Sequence, residues 1–309
     1  MITSFDGSKI EHWFLEHWNR EFDESFPISS RLWKQNIIEG SDTFKTFVFG
    51  YQKDNQTVGV LVLKHYWNVC MPSILYVSLI YVLPSFRKQT IGKALIEFAK
   101  TYALDHDFEK VVIGSDPGCL FSGVFVHNNQ CVHDFFLRQG FSYVYKNMNL
   151  LCTKRPTSSH DARFMVVKTD EEKQNVLQMI KQHFSKRWFL DVKDILLEEL
   201  IIVKEQDTII GFLRISHESF PKLANSLNLH LKYQHLGGIG PLGIVPFYQH
   251  QGLGKQMVQF AIQHLFDLGC LQVIVDWTGL TNFYNLCGFS QISQEYIIYQ
   301  LETGGNKNE

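Results

Sequence analysis

The sequence predicts an α/β protein, more exactly α+β with a mixed sheet, built as two tandem domains of one plan. The chain has 309 residues, of which 45% are hydrophobic, enough to form two cores of ordinary size. Short apolar runs alternate with amphipathic stretches of helical period along its whole length. A strand, a proline and a helix also follow one another twice, in "YVLPSFRKQTIGKAL" at 81–95 and "IVPFYQHQGLGKQM" at 244–257.

The elements of the first half follow in order. "TFKTFVFGYQ" and "TVGVLVLKHY" predict two strands around a polar turn, and "ILYVSLIYVLP" predicts a third that ends at Pro84. A helix from about Ile91 carries apolar residues at 91, 95, 96 and 99, which lie on one face. "KVVIGSDP" predicts a further strand, and "HDFFLRQGF" a short helix that ends at Gly140.

The second half repeats this plan. "FMVVKTD" and a charged helical region at 170–199 lead to a strand pair in "ELIIVKEQDTIIGFLRIS". "GGIGPLGIVP" predicts a strand that ends at Pro246, and the helix after it has apolar residues at 253, 257, 261 and 265 before Gly269. "CLQVIVDW" predicts a buried strand, and "TNFYNLCGF" a short helix that ends at Gly288.

The spacing of matched positions favours a duplicated domain. Pro84 and Pro246 are 162 residues apart, whereas Gly140 and Gly288 are 148 apart, so the first half carries 14 extra residues (162 minus 148), placed in "GCLFSGVFVHNNQCV". The alternative is that strand–helix units recur in α/β proteins without duplication. We predict an N-terminal domain at 1–152, a linker at 153–163, a C-terminal domain at 164–303 and a polar tail at 304–309.

Composition narrows the classes of function. The net charge of −2 and the absence of a large basic block argue against a nucleic-acid partner and against a membrane partner. The longest apolar runs are too short to cross a bilayer, and the N-terminus lacks the pattern of a secretory signal. Six scattered cysteines indicate reduced thiols and a cytoplasmic protein, and the 13 histidines show no metal-binding spacing, so no metal is expected.

The two glycines in "QHQGLGK" lie where a strand passes into a helix. The first amides of a helix have no intrahelical partner, so they can bind phosphate oxygens if the backbone comes close. Glycine permits that approach, although two glycines here can equally serve close packing alone. The stretch is neither a P-loop nor the dinucleotide fingerprint, because the further residues of those motifs are missing.

The second half resembles the GNAT family of acetyl-CoA-dependent N-acetyltransferases. That family has a V-x-P strand end followed by [QR]-x-x-G-x-[GA], and a tyrosine in a helix that closes in Gly-Phe; "VPFYQHQGLG" and "NFYNLCGF" match both motifs. The resemblance implies two tandem folds of this family, each with a twisted, partly splayed sheet flanked by helices. It also implies that acetyl-CoA is held by Ile244, Val245, Gln249, His250, Gln251, Gly252, Leu253, Gly254 and Lys255.

The family pattern also suggests the chemistry. Tyr284 matches the tyrosine that gives a proton to the departing thiolate, and the amide of Ile244 is expected to hold the thioester carbonyl. The general base is not identified by sequence; His235, Glu218 and Asp276 are candidates. Trp277 stands where many members have an asparagine, so it either reshapes the acceptor cleft or packs in the core.

The first half departs from the pattern at two positions. "LPSFRKQTIG" keeps Pro84, Arg87 and Gly92 but has Thr90 in place of the first glycine, and Phe136 stands at the tyrosine position. A phenyl ring cannot exchange a proton. The first half is therefore expected to be a degenerate copy without catalysis, unless it uses water or another side chain; whether it binds CoA stays open.

The resemblance predicts an acyltransferase that moves acetyl from acetyl-CoA to a primary amine of a small molecule. Amino sugars, aminoglycosides, polyamines and amino acids all remain open as acceptors, and the oligomeric state is not indicated. The alternative is a non-catalytic CoA-binding or ligand-sensing tandem protein.

Overall fold

The computed structural model describes residues 1–127, 129–157 and 161–304. Residues 158–160 of the predicted linker and 305–309 of the predicted tail lie outside this range. The chain forms two compact units: unit 1 comprises Met1–Asn147 together with the segment from Gln294 onwards, and unit 2 comprises Met148–Ser293. Within the described ranges, no helix has both the length and the apolar character needed to cross a bilayer.

Unit 1 is a mixed sheet with helices packed against it. Its strands are ordered β1-β2-β3-β4-β5-β13-β7, where β4 and β5 are parallel. A π-helical turn at Lys34–Ile38 follows its second helix. Its elements are β1 (Ile2–Phe5), α1 (Gly7–Phe22), α2 (Ser30–Trp33), β2 (Phe44–Lys53), β3 (Gln56–Tyr66), β4 (Ile74–Val82), α3 (Ile91–Asp105), β5 (Lys110–Ile113), β6 (Val124–Phe125), α4 (Gln130–Arg138) and the first part of β7 (Ser142–Cys152).

Unit 2 has the same kind of sheet, ordered β7-β12-β11-β10-β9-β8, and here β11 and β12 are the parallel pair. The last part of β7 belongs to it. Its other elements are β8 (Phe164–Val166), α5 (Asp170–His183), α6 (Lys186–Val192), β9 (Leu200–Glu205), β10 (Thr208–His217), β11 (Leu236–Ile244), α7 (Leu253–Asp267), β12 (Gln272–Thr278), α8 (Thr281–Cys287) and the beginning of β13 (Gln291–Glu302).

The last strand of each half completes the sheet of the other unit. β13 pairs antiparallel with β5, with Tyr299 opposite Ile113, and β7 pairs antiparallel with β12, with Leu150 opposite Val275. Tyr299 and Leu150 are buried in the cores of the units they join. The predicted domain boundaries therefore differ from the compact units, because residues 148–152 belong to unit 2 and residues from 294 belong to unit 1.

Matching helices line the two cores, as their apolar periodicity predicts. In α3 the buried residues fall at 91, 95, 96, 99 and 103, and in α7 they fall at 253, 257, 258, 261, 262 and 265. These positions form one stripe of each helix, and burying that stripe against the sheet supplies most of the helix's stability. Residues 114–129 connect β5 to α4, whereas residues 276–280 connect Val275, the last residue of β12 paired with β11, to α8, so unit 1 is longer here by 11 residues (16 minus 5).

The parallel strands of each unit separate part-way along their length. Pairing between β4 and β5 ends at Val77 and Ile113, and pairing between β11 and β12 ends at Ile239 and Val275. β4 and β11 both continue beyond that point. The partly splayed sheet implied by the family resemblance is therefore confirmed, and each unit has a cleft where its strands diverge.

Candidate active site

The glycine loop of unit 2, residues 249–254, joins the end of β11 to α7. A 3₁₀ turn at Pro246–Tyr248 redirects the chain, and Gly252, which precedes the helix, has a φ of 81°. A residue with a β-carbon is strained in this left-handed region. Gly252 is exposed, and the nearest atom to a β-carbon built on it would be Nε2 of Gln256 at 3.9 Å. The loop is therefore open to an approaching group.

The amides of this loop are available to an anion. The amide of Gln249 bonds to Pro246 and that of Gln256 to Gly252, but no described residue accepts a hydrogen bond from the amides of 250–255. Side chains of His250, Gln251 and Lys255 are exposed around them. The start of a helix also carries partial positive charge. This arrangement suits a phosphate group, as the sequence predicts.

The end of β11 presents one amide to the cleft and turns the next one away. The amide of Val245 donates to the carbonyl of Ile210 at 2.9 Å, on the β10 side. Because successive amides of a strand point in opposite directions, the amide of Ile244 points to the side that β12 leaves free. This orientation suits the predicted role of Ile244. The amide of Val245 is already used within the sheet, and contact of Val245 with the cofactor through its other atoms stays a prediction.

The side chains of Gln249 and Leu253, two other residues predicted to hold the cofactor, hold the glycine loop in place. The Nε2 of Gln249 donates to the carbonyl of Ile244 at 2.8 Å, which fixes the loop to the strand. Leu253 is buried and packs in the core of unit 2. A β-carbon on Gly254 would lie 3.5 Å from the ring of Phe283, so α7 and α8 approach closely here. Gln249 and Leu253 therefore support the backbone with their side chains.

Tyr284 lies on α8, with its ring edge-on to Phe283 and Phe289 at centroid distances of 5.0 and 5.5 Å. Burial raises the pKa of Tyr284, and the charges of Cys287 and Asp276 raise it further. The phenol is therefore neutral near pH 7 and can donate its proton. Burial likewise raises the pKa of the neighbouring Cys287 thiol to about 12, so this thiol is not a nucleophile at neutral pH.

Asp276 follows directly on the last residue of β12 that pairs with β11. A β-carbon on Gly240, in β11, would lie 3.6 Å from its Oδ1, so the carboxyl stands where the two strands diverge. Burial raises the pKa of Asp276 to about 7, and the negative charge of Asp191 adds to the rise; the charges of Arg214 and Arg187 and a backbone hydrogen bond oppose it. A carboxyl with such a pKa can exchange protons at neutral pH.

Charged side chains of α6 and β10 act electrostatically on Asp276. Nε of Arg187 lies 3.9 Å from Oδ2 of Asp191, and the guanidinium of Arg187 covers the ring of Trp277 at 4.2 Å from its centroid. Arg214 is bound to the carboxylate of Glu199 through Nε and Nη2 at 3.1 and 2.9 Å. Trp277 is half-buried, with one face of its ring covered by the guanidinium of Arg187.

The other two candidates for the base lie elsewhere in unit 2. His235 and Glu218 approach each other at 3.6 Å near the surface, and His235 precedes the first residue of β11. The strands diverge only after Ile239. Neither side chain is therefore placed to serve the cleft. Sequence reasoning missed Asp191, Arg187 and Arg214, because nothing in their local pattern marks them.

Comparison with known proteins identifies the family. The model of the acetyltransferase (GNAT) family matches residues 8–141 and again residues 165–289, more than half of the chain. The chain belongs to the GNAT acetyltransferase family. The two matches fall on the two halves, so the tandem arrangement predicted from the sequence is confirmed. No curated protein sequence matches the chain.

Solved structures confirm the GNAT fold. The chain is similar to a glucosamine N-acetyltransferase region in a fungal multi-domain GH3 β-N-acetylglucosaminidase, with a TM-score of 0.86 and 15% identity over 97% of this chain, but it spans only 38% of that one. The chain is also similar to a tandem GNAT protein from the clavulanic acid biosynthesis pathway, with a TM-score of 0.69 and 12% identity over 99% of both chains. The similarity to a GNAT acetyltransferase from Sphaerobacter thermophilus has a TM-score of 0.69 at 13% identity. It covers 98% of this chain and 95% of that one.

The cleft of unit 2 fits the acyl-CoA donor of this family in three respects. The exposed amides of the glycine loop suit a diphosphate, and the absence of a β-carbon at Gly252 leaves room for it. The amide of Ile244 faces the gap between the strands. Asp276 stands where the strands diverge, and it lies near enough to Tyr284 for its charge to raise the pKa of that phenol.

Proposed function

We propose that unit 2 is an acetyl-CoA-dependent N-acetyltransferase that moves the acetyl group to a primary amine of a small molecule. The observation that carries this proposal is the cleft between β11 and β12. It joins an open anion-binding loop at Gly252 to a free strand amide at Ile244, a neutral phenol at Tyr284 and a titratable carboxyl at Asp276.

The protein holds the donor mainly through its backbone. Amides of the glycine loop bind the diphosphate, and the amide of Ile244 donates to the carbonyl oxygen of the acyl group. Because these donors are fixed in the fold before the reaction, they stabilise developing negative charge on that oxygen without reorganisation. Acetyl-CoA supplies the thioester that is attacked.

Asp276 prepares the acceptor. An amine is mostly protonated near neutral pH and cannot attack until it loses a proton. The carboxylate of Asp276 takes that proton, and its pKa of about 7 keeps a useful fraction ionised at physiological pH. Nitrogen then attacks the acyl carbon and the carbon–sulfur bond breaks. Tyr284 gives its proton to the departing sulfur, and the second proton, which the nitrogen loses as the amide forms, restores the phenol.

The residues around Asp276 belong to the acceptor side of the reaction. Asp191 adds negative charge beside Asp276 and so favours an incoming ammonium group. The ring of Trp277, with the guanidinium of Arg187 lying over it, offers a flat wall. A compact, polar primary amine suits this lining, and amino sugars are a reasonable first choice because one protein of similar fold is a glucosamine N-acetyltransferase region.

The proposal is tested by titrating the full chain with acetyl-CoA in a calorimeter and then measuring release of the free thiol over a panel of amines. The panel holds amino sugars, aminoglycosides, polyamines and amino acids. We expect saturable binding, and thiol release that depends on at least one amine. Binding without release on any of these amines supports the alternative of a non-catalytic sensor, and no binding contradicts both proposals.

A further inference from the structure

The strand β12 contains a β-bulge at the point where the cleft of unit 2 opens. The register between β7 and β12 shifts there by one residue, between the pairs Leu150–Val275 and Met148–Thr278. Two residues of β12, 276 and 277, therefore face the single residue Asn149 of β7, which is the pattern of a bulge. Pairing between β12 and β11 ends at the same point, at Val275. Because a bulged strand bends, this bulge turns β12 away from β11 and opens the cleft.

Asp276 and Trp277 are the two residues of this bulge. Trp277 has a φ of 47°, in the left-handed region, where a residue with a large side chain is strained. Oδ1 of Asp276 lies beside Gly240, on the strand that β12 leaves. A bulge changes the direction of the side chains that it carries, and bulges next to active sites often have this effect. The bulge therefore sets the direction in which the carboxyl of Asp276 enters the cleft.

The side chain of Asn149 holds the bulge in place. Its Oδ1 accepts a hydrogen bond from the amide of Trp277 at 3.0 Å. The register shift leaves residues 276 and 277 without a paired residue of their own on β7, so this bond joins the two strands where the regular ladder is interrupted. Asn149 is fully buried, so loss of the bond would leave a polar group inside the protein without its partner. The strained backbone of Trp277 is thus maintained by a side chain of β7.

Unit 1 has neither the carboxyl nor the asparagine at the matching positions. Its pair Tyr299–Ile113 corresponds to the pair Leu150–Val275 of unit 2. By this register, Gly114 stands at the position of Asp276, and Ile298 stands at the position of Asn149. Ile298 is 2% exposed, and its side chain has no acceptor for an amide. Within this chain, the asparagine therefore accompanies the carboxyl.

We propose that Asn149 is a positioning residue for acetyl transfer, which fixes the bulge at residues 276–277 and so aims the carboxyl of Asp276 at the acceptor amine. This inference rests on the proposed function, because it takes Asp276 as the base. Asn149 acts through the amide of Trp277 and takes up no proton. It lies on the strand that the N-terminal half of the sequence provides, so that half contributes a residue on which the site of unit 2 depends.

Asn149→Ile tests this role, because it gives unit 2 the residue that unit 1 has at the matching position. The new side chain is of similar size but cannot accept the amide of Trp277. We expect kcat with an amine that gives thiol release to fall about 10- to 100-fold, because displacing a reacting group by about 1 Å has an effect of this size. The Kd for CoA stays unchanged, because the glycine loop is not altered.

Two further variants separate positioning from stability. Asn147→Ile removes the other asparagine of β7, which is also buried and donates from Nδ2 to the carbonyl of Ser122 in unit 1 at 3.4 Å. We expect it to lower the unfolding temperature, as Asn149→Ile does, but to leave kcat unchanged. Asn149→Asp keeps an oxygen acceptor for the amide of Trp277. Measured well above the pKa of Asp276, it retains most of the activity that Asn149→Ile loses.

The double variant Asn149→Ile with Asp276→Asn shows whether Asn149 acts through Asp276. If it does, the double variant is no slower than Asp276→Asn alone, because the group that Asn149 positions is already lost. Losses of activity that multiply in the double variant overturn the inference. An Asn149→Ile variant that keeps kcat also overturns it, and leaves the proposed function intact as long as Asp276→Asn is slow.

A crystal structure of Asn149→Ile gives a result that does not depend on turnover. We expect the φ of Trp277 to leave the left-handed region and the carboxyl of Asp276 to move away from Gly240. An unchanged bulge overturns the inference even in an active acetyltransferase. A changed bulge, combined with full activity of Asp276→Asn, contradicts the base that we propose, and the positioning role of Asn149 is then wrong as well.

Discussion

Asp276 faces Gly240 across the point where β11 and β12 separate, with Oδ1 lying 3.6 Å from the place that a β-carbon of Gly240 would occupy. The carboxyl thus stands at the inner end of the cleft whose outer end is the glycine loop. The small residue at 240 leaves space beside the carboxyl. The role of general base that we propose for Asp276 requires this combination of burial with space beside the carboxyl.

Replacing Asp276 tests its role as the base. Asp276→Asn keeps the shape of the side chain but cannot accept a proton, so we expect thiol release with amine to fall about 100-fold while CoA binding is kept. In the unchanged protein kcat/KM rises with pH through about 7, because the base must be ionised to act; Asp276→Asn loses this rise. Asp207→Asn, in the exposed turn after β9, is the control. An unchanged pH profile in Asp276→Asn would rule out Asp276 as the base.

Replacing Asp191 tests the electrostatic link within the cleft. The negative charge of Asp191 raises the pKa of Asp276, so Asp191→Asn lowers that pKa and moves the rising part of the kcat/KM profile to lower pH. The KM for the amine increases, because a charge that favours the ammonium group is lost. Asp194→Asn removes a charge that is 71% exposed and paired with Lys193, and leaves both quantities unchanged. A shift to higher pH in Asp191→Asn would contradict the assignment.

Replacing Tyr284 tests the proton donor. Tyr284→Phe keeps the ring that packs on Phe283 and Phe289 but removes the hydroxyl, so we expect kcat to fall about 10- to 100-fold with little change in CoA binding. Some activity remains, because a thiolate is a tolerable leaving group without an acid. Tyr233→Phe removes a hydroxyl that bonds to Ser293 and serves as the control. Equal losses in both variants would indicate a structural effect.

Gly252 and Gly269 provide a matched pair for testing the anion site. Both have left-handed backbone, with φ of 81° and 97°, so Gly252→Val and Gly269→Val carry similar backbone strain. Only Gly252 lies in the glycine loop, and nothing surrounds a β-carbon at Gly269 within 4 Å. We expect the Kd for CoA in unit 2 to rise more than about tenfold in Gly252→Val, because contacts of amides with a charged group are lost, and to stay unchanged in Gly269→Val.

Much of the fold follows from local sequence patterns. The stripes on α3 and α7 and the proline that ends each central strand predict the strand–helix units and their repetition. The exchange of β7 and β13 could not be predicted in this way. Both strands have partly apolar sides, and either sheet edge offers the same backbone partners. The edge that each strand joins depends on tertiary packing, which cannot be predicted from the β propensity of its residues.

The candidate site was predicted in part. Motifs identified Gly252 and Tyr284, because each has a fixed offset from a glycine or a proline. Asp276 was one of three candidates, and its position was settled only by the pairing that ends at Val275. Asp191 comes from α6, distant in sequence, and its effect on Asp276 depends on burial and proximity in the folded chain. An electrostatic partner of this kind cannot be identified from the residues next to it in the sequence.

A crystal structure of the full chain soaked with CoA tests the central claim most directly. We predict diphosphate density within hydrogen-bond distance of the backbone amides at residues 252–255, with the sulfur end directed towards Ile244 and Tyr284. CoA bound elsewhere on unit 2, or a cleft between β11 and β12 that stays empty at saturating CoA, would contradict the account.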